Sequence, residues 1–225
     1  RHASLGHTDP RSGEDLPVPD NVRIYVLSSA QHAGLNSPAE AVSQQDANIM
    51  SNGPSLRVAL SLMDSWATDG VAPPASRIPL RADGTLVASV EAIQSFPAVP
   101  GFHTPTAPSQ LPLYNYGPGF EQGLVTEHPP KPMVGQTYSV FVPQVDADGN
   151  DVAGLRSPEI QAPVGTHTGW ALRKKGFAEG DLASLTGSFV PFARTREERE
   201  AAGDPRLSIE ERYGTHDGYV AQVTE

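Results

Sequence analysis

The chain has 225 residues and a formal net charge of -10, because 26 acidic side chains outnumber 16 lysines and arginines. This charge argues against nucleic acid or an anionic membrane as a partner, since affinity for either depends on neutralising phosphates. The chain has no cysteine, which excludes disulfides, thiolate metal sites and a cysteine nucleophile. No apolar run approaches the roughly 20 residues that span a bilayer. The 21 glycines and 22 prolines predict many loops and short elements.

The first regular element that the sequence predicts is a short, mostly buried strand over residues 22–27. Side chains that are β-branched, aromatic or aliphatic dominate this run, and polar turn residues border it. A polar turn of residues 28–31 leads directly to His32. A histidine just past the carboxyl end of a buried strand stands where α/β enzymes place reacting groups, because the strand ends open onto the crevice. His32 is therefore the candidate catalytic residue.

A helix is predicted over residues 54–69, after a long polar loop. Pro54 suits the first helical position, and Gly70 suits the end of a helix. Apolar residues recur at helical spacing along one face: Leu56, Leu60, Met63 and Ala67. We expect this face to be buried against the sheet that contains residues 22–27.

The rest of the chain predicts short strands and helices in a segment rich in proline and glycine. An Asp-Gly pair at residues 148–149 indicates a hairpin that joins strands over 138–142 and 152–155. A further strand is predicted over 160–164. Two capping boxes predict helices in the tail: Thr195 with Glu198, and Ser208 with Glu211.

Two interpretations of His32 are open from the residues alone. It is either a structural histidine at a strand end or the general base for a serine nucleophile, as in α/β-hydrolases, where the histidine comes last along the chain. The nucleophile is missing, because no Gly-x-Ser-x-Gly occurs. The nearest approach, residues 53–57, lacks the second glycine and follows His32. Asp9 has the right order for the acid, although an Asp-Pro turn is favoured there.

No metal site and no cofactor is predicted. The histidines are scattered, and no pair has the i, i+4 spacing of a zinc-binding helix. Residues 146–151 resemble a calcium loop in composition, but the glycine falls at the wrong position. A turn is therefore favoured there over a calcium-stabilised β module. Residues 165–170 are interpreted as a structural turn anchored by Trp170, with a ligand-facing loop as the alternative.

Five segments of the chain resemble a bacterial family of proteins with an alpha/beta hydrolase domain. They include the run around His32, the helix after it and two parts of the tail: residues 22–34, 60–77, 83–87, 187–193 and 203–213. The segment from His32 to Pro73 is also similar, more distantly, to tannases and feruloyl esterases. The family has a glycine near position 29, where this chain has Ser29.

The resemblance implies an α/β fold in which this chain is the C-terminal portion of a longer hydrolase. Residues 1–75 would hold the last strands of the α/β-hydrolase sheet, the catalytic-histidine loop and the closing helix. Residues 76–225 would form the β-rich and helical extension, rich in proline and glycine. His32 takes the position of the catalytic histidine, and the serine and the acid would lie upstream of Arg1.

The expected activity is the cleavage of small-molecule carboxylic esters by a serine-type hydrolase. His32 would take the proton of a serine and later activate water. The serine and the acid would come from another polypeptide or from a missing N-terminal segment. The alternative is a non-catalytic binding or subunit-interaction module in which His32 is structural, and the missing nucleophile favours it.

Overall fold

A computed structural model describes residues 3–32, 42–106, 110–183 and 185–224. The helices are α1 (Gly53–Asp69), α2 (Ser89–Ser95), α3 (Pro158–Gln161), α4 (Arg196–Ala202), α5 (Ile209–Tyr213) and α6 (His216–Thr224), with 3-10 turns at Ala3–Gly6 and Phe120–Gln122. The strands are β1 (Leu86–Ala88), β2 (Pro112–Asn115), β3 (Lys131–Thr137), β4 (Phe141–Pro143), β5 (Gly165–Thr168) and β6 (Ser188–Pro191). Within the described ranges they form three antiparallel pairs: β1 with β4, β2 with β3, and β5 with β6. None of the described helices is long and apolar enough to cross a membrane.

Residues 22–27 form an extended segment instead of the regular, mostly buried strand that the sequence predicts. Their side chains are half-buried. Isolated parallel bridges join this segment to two distant parts of the chain: Tyr25 to Arg77, and Leu27 to Leu155. The parallel pairing typical of an α/β fold is thus present here in short form. Pro79 has no N–H to donate, which prevents the pairing beside Arg77 from extending.

The predicted bounds of α1 are confirmed. Pro54 lies in its first turn, and Gly70 ends it with a φ of 70°. This φ lies in the left-handed region, which glycine adopts without a steric penalty because it has no Cβ. The local signals at the two ends of the helix were therefore sufficient to place it.

The expected burial of α1 is wrong. No residue of the helix is buried, and Leu56, Leu60 and Met63 are 64%, 71% and 61% exposed. The helix meets the rest of the described chain along a narrow side, where Trp66 is half-buried and lies 5.0 Å from the guanidinium of Arg23. The described residues beside it form an extended segment and not a broad sheet, so the apolar face remains uncovered.

The Asp-Gly turn is confirmed, but the hairpin around it is only partly as predicted. Gly149 N–H donates to Asp146 O at 3.0 Å. The predicted second strand, residues 152–155, is not regular β structure. Leu155 instead forms the parallel bridge with Leu27, and β4 pairs with β1. Long-range partners therefore decide the pairing here, and the local turn decides only the reversal of the chain.

The strand predicted over residues 160–164 is also wrong, because Pro158 begins the short helix α3 there. The two capping boxes of the tail are confirmed, since the side chains of Thr195 and Ser208 accept the N–H groups of Glu198 and Glu211. The division of the chain at residue 75 stays a prediction.

The described core is centred on β5 and β6, and much of it is polar. All four residues of β5 are buried, and Ile160 and Phe192 add apolar side chains. Fully buried polar residues are interspersed among them: Asn48, Asn150, Thr166, His167, Ser188 and Ser208. Polar groups in such a core require hydrogen-bond partners, and the resulting network reaches the turn that precedes His32.

Candidate active site

His32 lies at the exposed end of the turn that follows residues 22–27. Its backbone N–H donates to Leu185 O at 3.0 Å, and the residue is exposed, so the imidazole is accessible. Gly34 and the predicted loop through residue 41 lie outside the described residues. The candidate base thus combines an accessible side chain with a backbone that is hydrogen-bonded to the second half of the chain.

Ser29, three residues before His32, has an unusual backbone conformation. Its φ is 55°, in the left-handed region that costs a residue with a side chain about 1–3 kcal/mol. Asp151 holds this conformation through two hydrogen bonds. Its Oδ2 accepts the Ser29 N–H at 2.5 Å, and its own N–H donates to Ser29 Oγ at 2.7 Å. A left-handed backbone at this position also suits the glycine of the family that the chain resembles.

Asn48 holds the same turn from its carbonyl side. The amide Nδ2 donates to Ser29 O at 2.7 Å and to Thr168 O at 3.1 Å. The amide Oδ1 accepts the Met50 N–H at 3.1 Å and lies 3.0 Å from His167 Nδ1. Because Nδ2 faces two carbonyl oxygens, the orientation of the amide is fixed, and Oδ1 is left to accept from the imidazole.

Gln31 and Asn52 join the turn to the start of α1. Gln31 Nε2 donates to Met50 O at 2.5 Å, and Asn52 Nδ2 donates to Gln31 O at 3.0 Å. Asn52 is the residue immediately before α1. The histidine turn and the exposed helix are therefore neighbours in space, held together by side-chain amides.

The carboxyl group of Asp151 is enclosed by protein, although the residue as a whole is partly exposed. Burial raises the pKa of Asp151 to about 6, because the ionised form loses its hydration. The hydrogen bond from Ser29 N–H opposes this rise in pKa, the charge of Asp146 adds to it, and the charge of Arg156 opposes it. Asp151 therefore supports the turn at an electrostatic cost at neutral pH.

His167 is 1% exposed, and burial lowers its pKa to about 4. Since Asn48 Oδ1 is an acceptor only, the neutral imidazole carries its proton on Nδ1. Its buried Nε2 has no hydrogen-bond partner among the described residues. The Phe189 ring lies 4.8 Å from the imidazole, centroid to centroid. His167 is thus a neutral, buried donor to Asn48. The interpretation of residues 165–170 as a structural turn is wrong, because residues 165–168 form the strand β5.

The other candidates lie elsewhere. Asp9 forms the favoured Asp-Pro turn, with its Oδ1 accepting the N–H groups of Ser12 and Arg11 at 2.6 and 2.8 Å; these bonds lower its pKa. Residues 53–57 belong to the first turns of α1, which is not the geometry of a serine elbow. Within the described ranges, no group of three or more potential ligands is arranged for a metal ion.

Sequence reasoning missed Asn48, Asp151 and His167 as supports of the histidine turn. Asp151 carries a weak signal, because it ends an Asp-rich run that also forms a turn. Asn48 and His167 carry none, since single polar residues in polar segments occur throughout the chain. Four of their bonds join positions more than 100 residues apart, such as Asn48 and Thr168.

Comparison with known proteins identifies the family. A family model described as an alpha/beta hydrolase domain matches residues 3–225. No curated protein and no solved structure matches the chain. The more distant similarity to tannases and feruloyl esterases stays a prediction. Because the match extends over nearly the whole sequence and agrees with the five segments around and after His32, this chain belongs to the alpha/beta hydrolase domain family.

Proposed function

We propose that this chain supplies the catalytic histidine, His32, of a serine-type hydrolase that cleaves carboxylic esters of small molecules. Membership of the alpha/beta hydrolase domain family makes hydrolysis the expected class of reaction. The serine and the acid come from another polypeptide or from a segment N-terminal to Arg1. The observation that carries the proposal is an accessible imidazole at the end of a turn whose backbone is held from several sides.

The proposed reaction has two stages. The serine oxygen attacks the ester carbonyl carbon while His32 takes the serine proton, and the ester C–O bond then breaks as His32 gives that proton to the leaving alcohol. Water attacks the acyl-enzyme while His32 takes a proton from it. His32 returns this proton to the serine as the acid product leaves. No cofactor is required for either stage.

The exposed face of α1 suits the partner that this reaction requires. The bond between Asn52 and Gln31 places the start of α1 beside the histidine turn. A polypeptide that brings a serine to His32 therefore also reaches α1. Leu56, Leu60 and Met63 offer it an uncovered apolar stripe at helical spacing. We propose that the serine-bearing segment covers this stripe.

Leu60→Gln tests this arrangement by comparing two preparations. In the 225-residue chain alone, the substitution is expected to change the free energy of unfolding by no more than about 0.5 kcal/mol, because Leu60 is 71% exposed. With the serine-bearing polypeptide bound, it is expected to weaken the complex by about 1.5–3 kcal/mol, the value of burying a leucine side chain. Arg57→Gln, an exposed position of the same helix, is the control. Equal effects of Leu60→Gln in both preparations would contradict the proposal.

The second candidate function is a non-catalytic binding or subunit-interaction module, and the same apolar stripe on α1 favours it. Fluorophosphonate labelling of the native preparation, read on a denaturing gel and by mass spectrometry, separates the two functions. A labelled serine on a separate or longer polypeptide that contains or binds this chain supports the hydrolase. No label on protein shown to be folded would favour the interaction module.

A further inference from the structure

Asn48 uses all of its hydrogen-bonding capacity, and it is 1% exposed. Its two amide hydrogens go to Ser29 O and Thr168 O, and its oxygen accepts from Met50 N–H and His167 Nδ1. A side-chain amide of this length is the group that offers two donors and two acceptors at one point. Aspartate lacks the donors, and glutamine is longer by one methylene. The site is therefore specific for asparagine.

We propose that Asn48 is a positioning residue for the reaction, which fixes the direction in which the turn of residues 28–32 presents His32. The inference rests on the proposed function of His32. Asn48 holds the carbonyl of Ser29 and Asp151 holds its N–H, so the peptide groups on both sides of the left-handed residue are fixed. Three residues further, the backbone N–H of His32 is bonded to Leu185 O.

His167 extends this arrangement into the core. Its Nδ1 donates to the oxygen of Asn48, and its ring is enclosed against Phe189. The imidazole thereby adds a further bond to the amide, whose Nδ2 the carbonyl oxygens already keep directed at Ser29 O. A line of direct hydrogen bonds runs from β5 through Asn48 to the histidine turn. Displacements of about 1 Å in such a support can cost about 10²-fold in rate.

Asn150 provides the matched control that distinguishes a positioning role of Asn48 from a merely structural one. Asn150 is also fully buried, its Nδ2 donates to Gly165 O at 3.2 Å, and its Oδ1 accepts the His167 N–H at 2.8 Å. Neither of these side-chain bonds goes to residues 28–32. Asn150→Asp therefore removes the same kind of bond from the same core without touching the turn through its side chain.

The experiment compares Asn48→Asp and Asn150→Asp in the full protein. Asn48→Asp keeps the size and the acceptor of the side chain but loses the donors to Ser29 and Thr168. We expect its fluorophosphonate labelling at pH 8 to be about 10²-fold slower than that of the unsubstituted protein, and hydrogen exchange of residues 28–32 to be faster. We expect Asn150→Asp to label within about twofold and to leave that exchange unchanged.

The pH profile adds a readout that general damage to the core would not reproduce. The introduced carboxyl group faces His167 and, across Ser29, Asp151. As the pH falls, a protonated carboxyl group regains one donor for Ser29 O. The ratio of the Asn48→Asp labelling rate to that of the unsubstituted protein is therefore expected to rise with falling pH. A ratio that stays constant with pH would overturn the positioning role.

If Asn48→Asp does not fold, a milder pair replaces it. His167→Asn keeps a donor at the place of Nδ1, and His167→Leu removes it. We expect slower labelling in His167→Leu and recovery in His167→Asn. Three results would each overturn the inference. The first is labelling at the original rate in Asn48→Asp or His167→Leu, and the second is an equal loss of labelling rate in Asn48→Asp and Asn150→Asp. The third is unchanged hydrogen exchange of residues 28–32 in Asn48→Asp. Absence of label in the unsubstituted protein would instead contradict the proposed function, while the exchange data would still show whether Asn48 holds the turn.

Discussion

Replacing His32 by alanine is expected to slow fluorophosphonate labelling and ester hydrolysis on the order of 10⁴-fold or more, with little effect on folding. Loss of the general base removes the activation of the serine in both stages, and enzymes of this mechanism lose rate on this scale when a triad member is deleted. The imidazole is exposed, and alanine retains the backbone bond from position 32 to Leu185 O. The free energy of unfolding should therefore change by no more than about 0.5 kcal/mol.

His216 provides the matched control for this substitution. Its side chain is 84% exposed at the start of α6, with Asp217 3.7 Å away. His216→Ala removes an accessible imidazole just as His32→Ala does, but far along the chain from the histidine turn, and we expect it to retain the full rate of labelling. Full activity in His32→Ala, with folding intact, would exclude His32 as the base and favour the interaction module.

The bounds of α1 could be predicted because their causes are local. Pro54 and Gly70 act through their own backbone geometry, which is the same in any surroundings. Whether Leu60 is buried could not be predicted in this way, since burial depends on a second surface that must lie against the helix. An apolar stripe in the sequence therefore predicts that a face is suited for contact, but it does not say whether the same chain provides the contact.

The turn at residues 28–32 was predictable for the same local reason, since polar turn residues follow a run of strand-forming residues there, while the catalytic role of His32 stays a prediction. The supports of the turn were not predictable. Asp151 reaches Ser29 across 122 positions of the chain, and His167 reaches Asn48 across 119. Nothing periodic links such pairs, and each of these residue types is common in loops. Only the folded chain shows that isolated polar residues converge on one turn.

Asp151 and His167 give the second prediction, because burial shifts their pKa values in opposite directions. Each residue offsets the pH dependence of stability that the other causes, so substituting one of them is expected to reveal the steep dependence caused by the one that remains. The pKa of Asp151 in the folded chain is about 6, raised from 3.8, with Asp146 and Arg156 as its charged neighbours. Folding therefore favours the protonated carboxyl group, and its stability contribution is lost as the pH rises from about 4 to 6. The change from 3.8 to about 6 corresponds to up to about 3 kcal/mol.

His167 acts in the opposite direction over nearly the same range. Its pKa in the folded chain is about 4, lowered from 6.5 by burial, with Glu159 as its charged neighbour. The unfolded chain takes up the proton first, so stability is lost as the pH falls from about 6.5 to 4, again by up to about 3 kcal/mol. Between pH 4 and 6 the two contributions nearly cancel in the unsubstituted protein.

Urea unfolding from pH 4 to 7, followed by tryptophan fluorescence, measures this opposition. In Asp151→Asn the free energy of unfolding, relative to the unsubstituted protein, is expected to rise by up to about 3 kcal/mol between pH 4 and 6, because the destabilising ionisation is gone while that of His167 remains. In His167→Asn the same difference is expected to fall by a similar amount. Groups that neither substitution touches cancel in these differences. Plots of the free energy of unfolding against pH that stay parallel to that of the unsubstituted protein would contradict the prediction. They would show that the pKa of neither side chain changes on folding, and that Asp151 supports the histidine turn without an electrostatic cost.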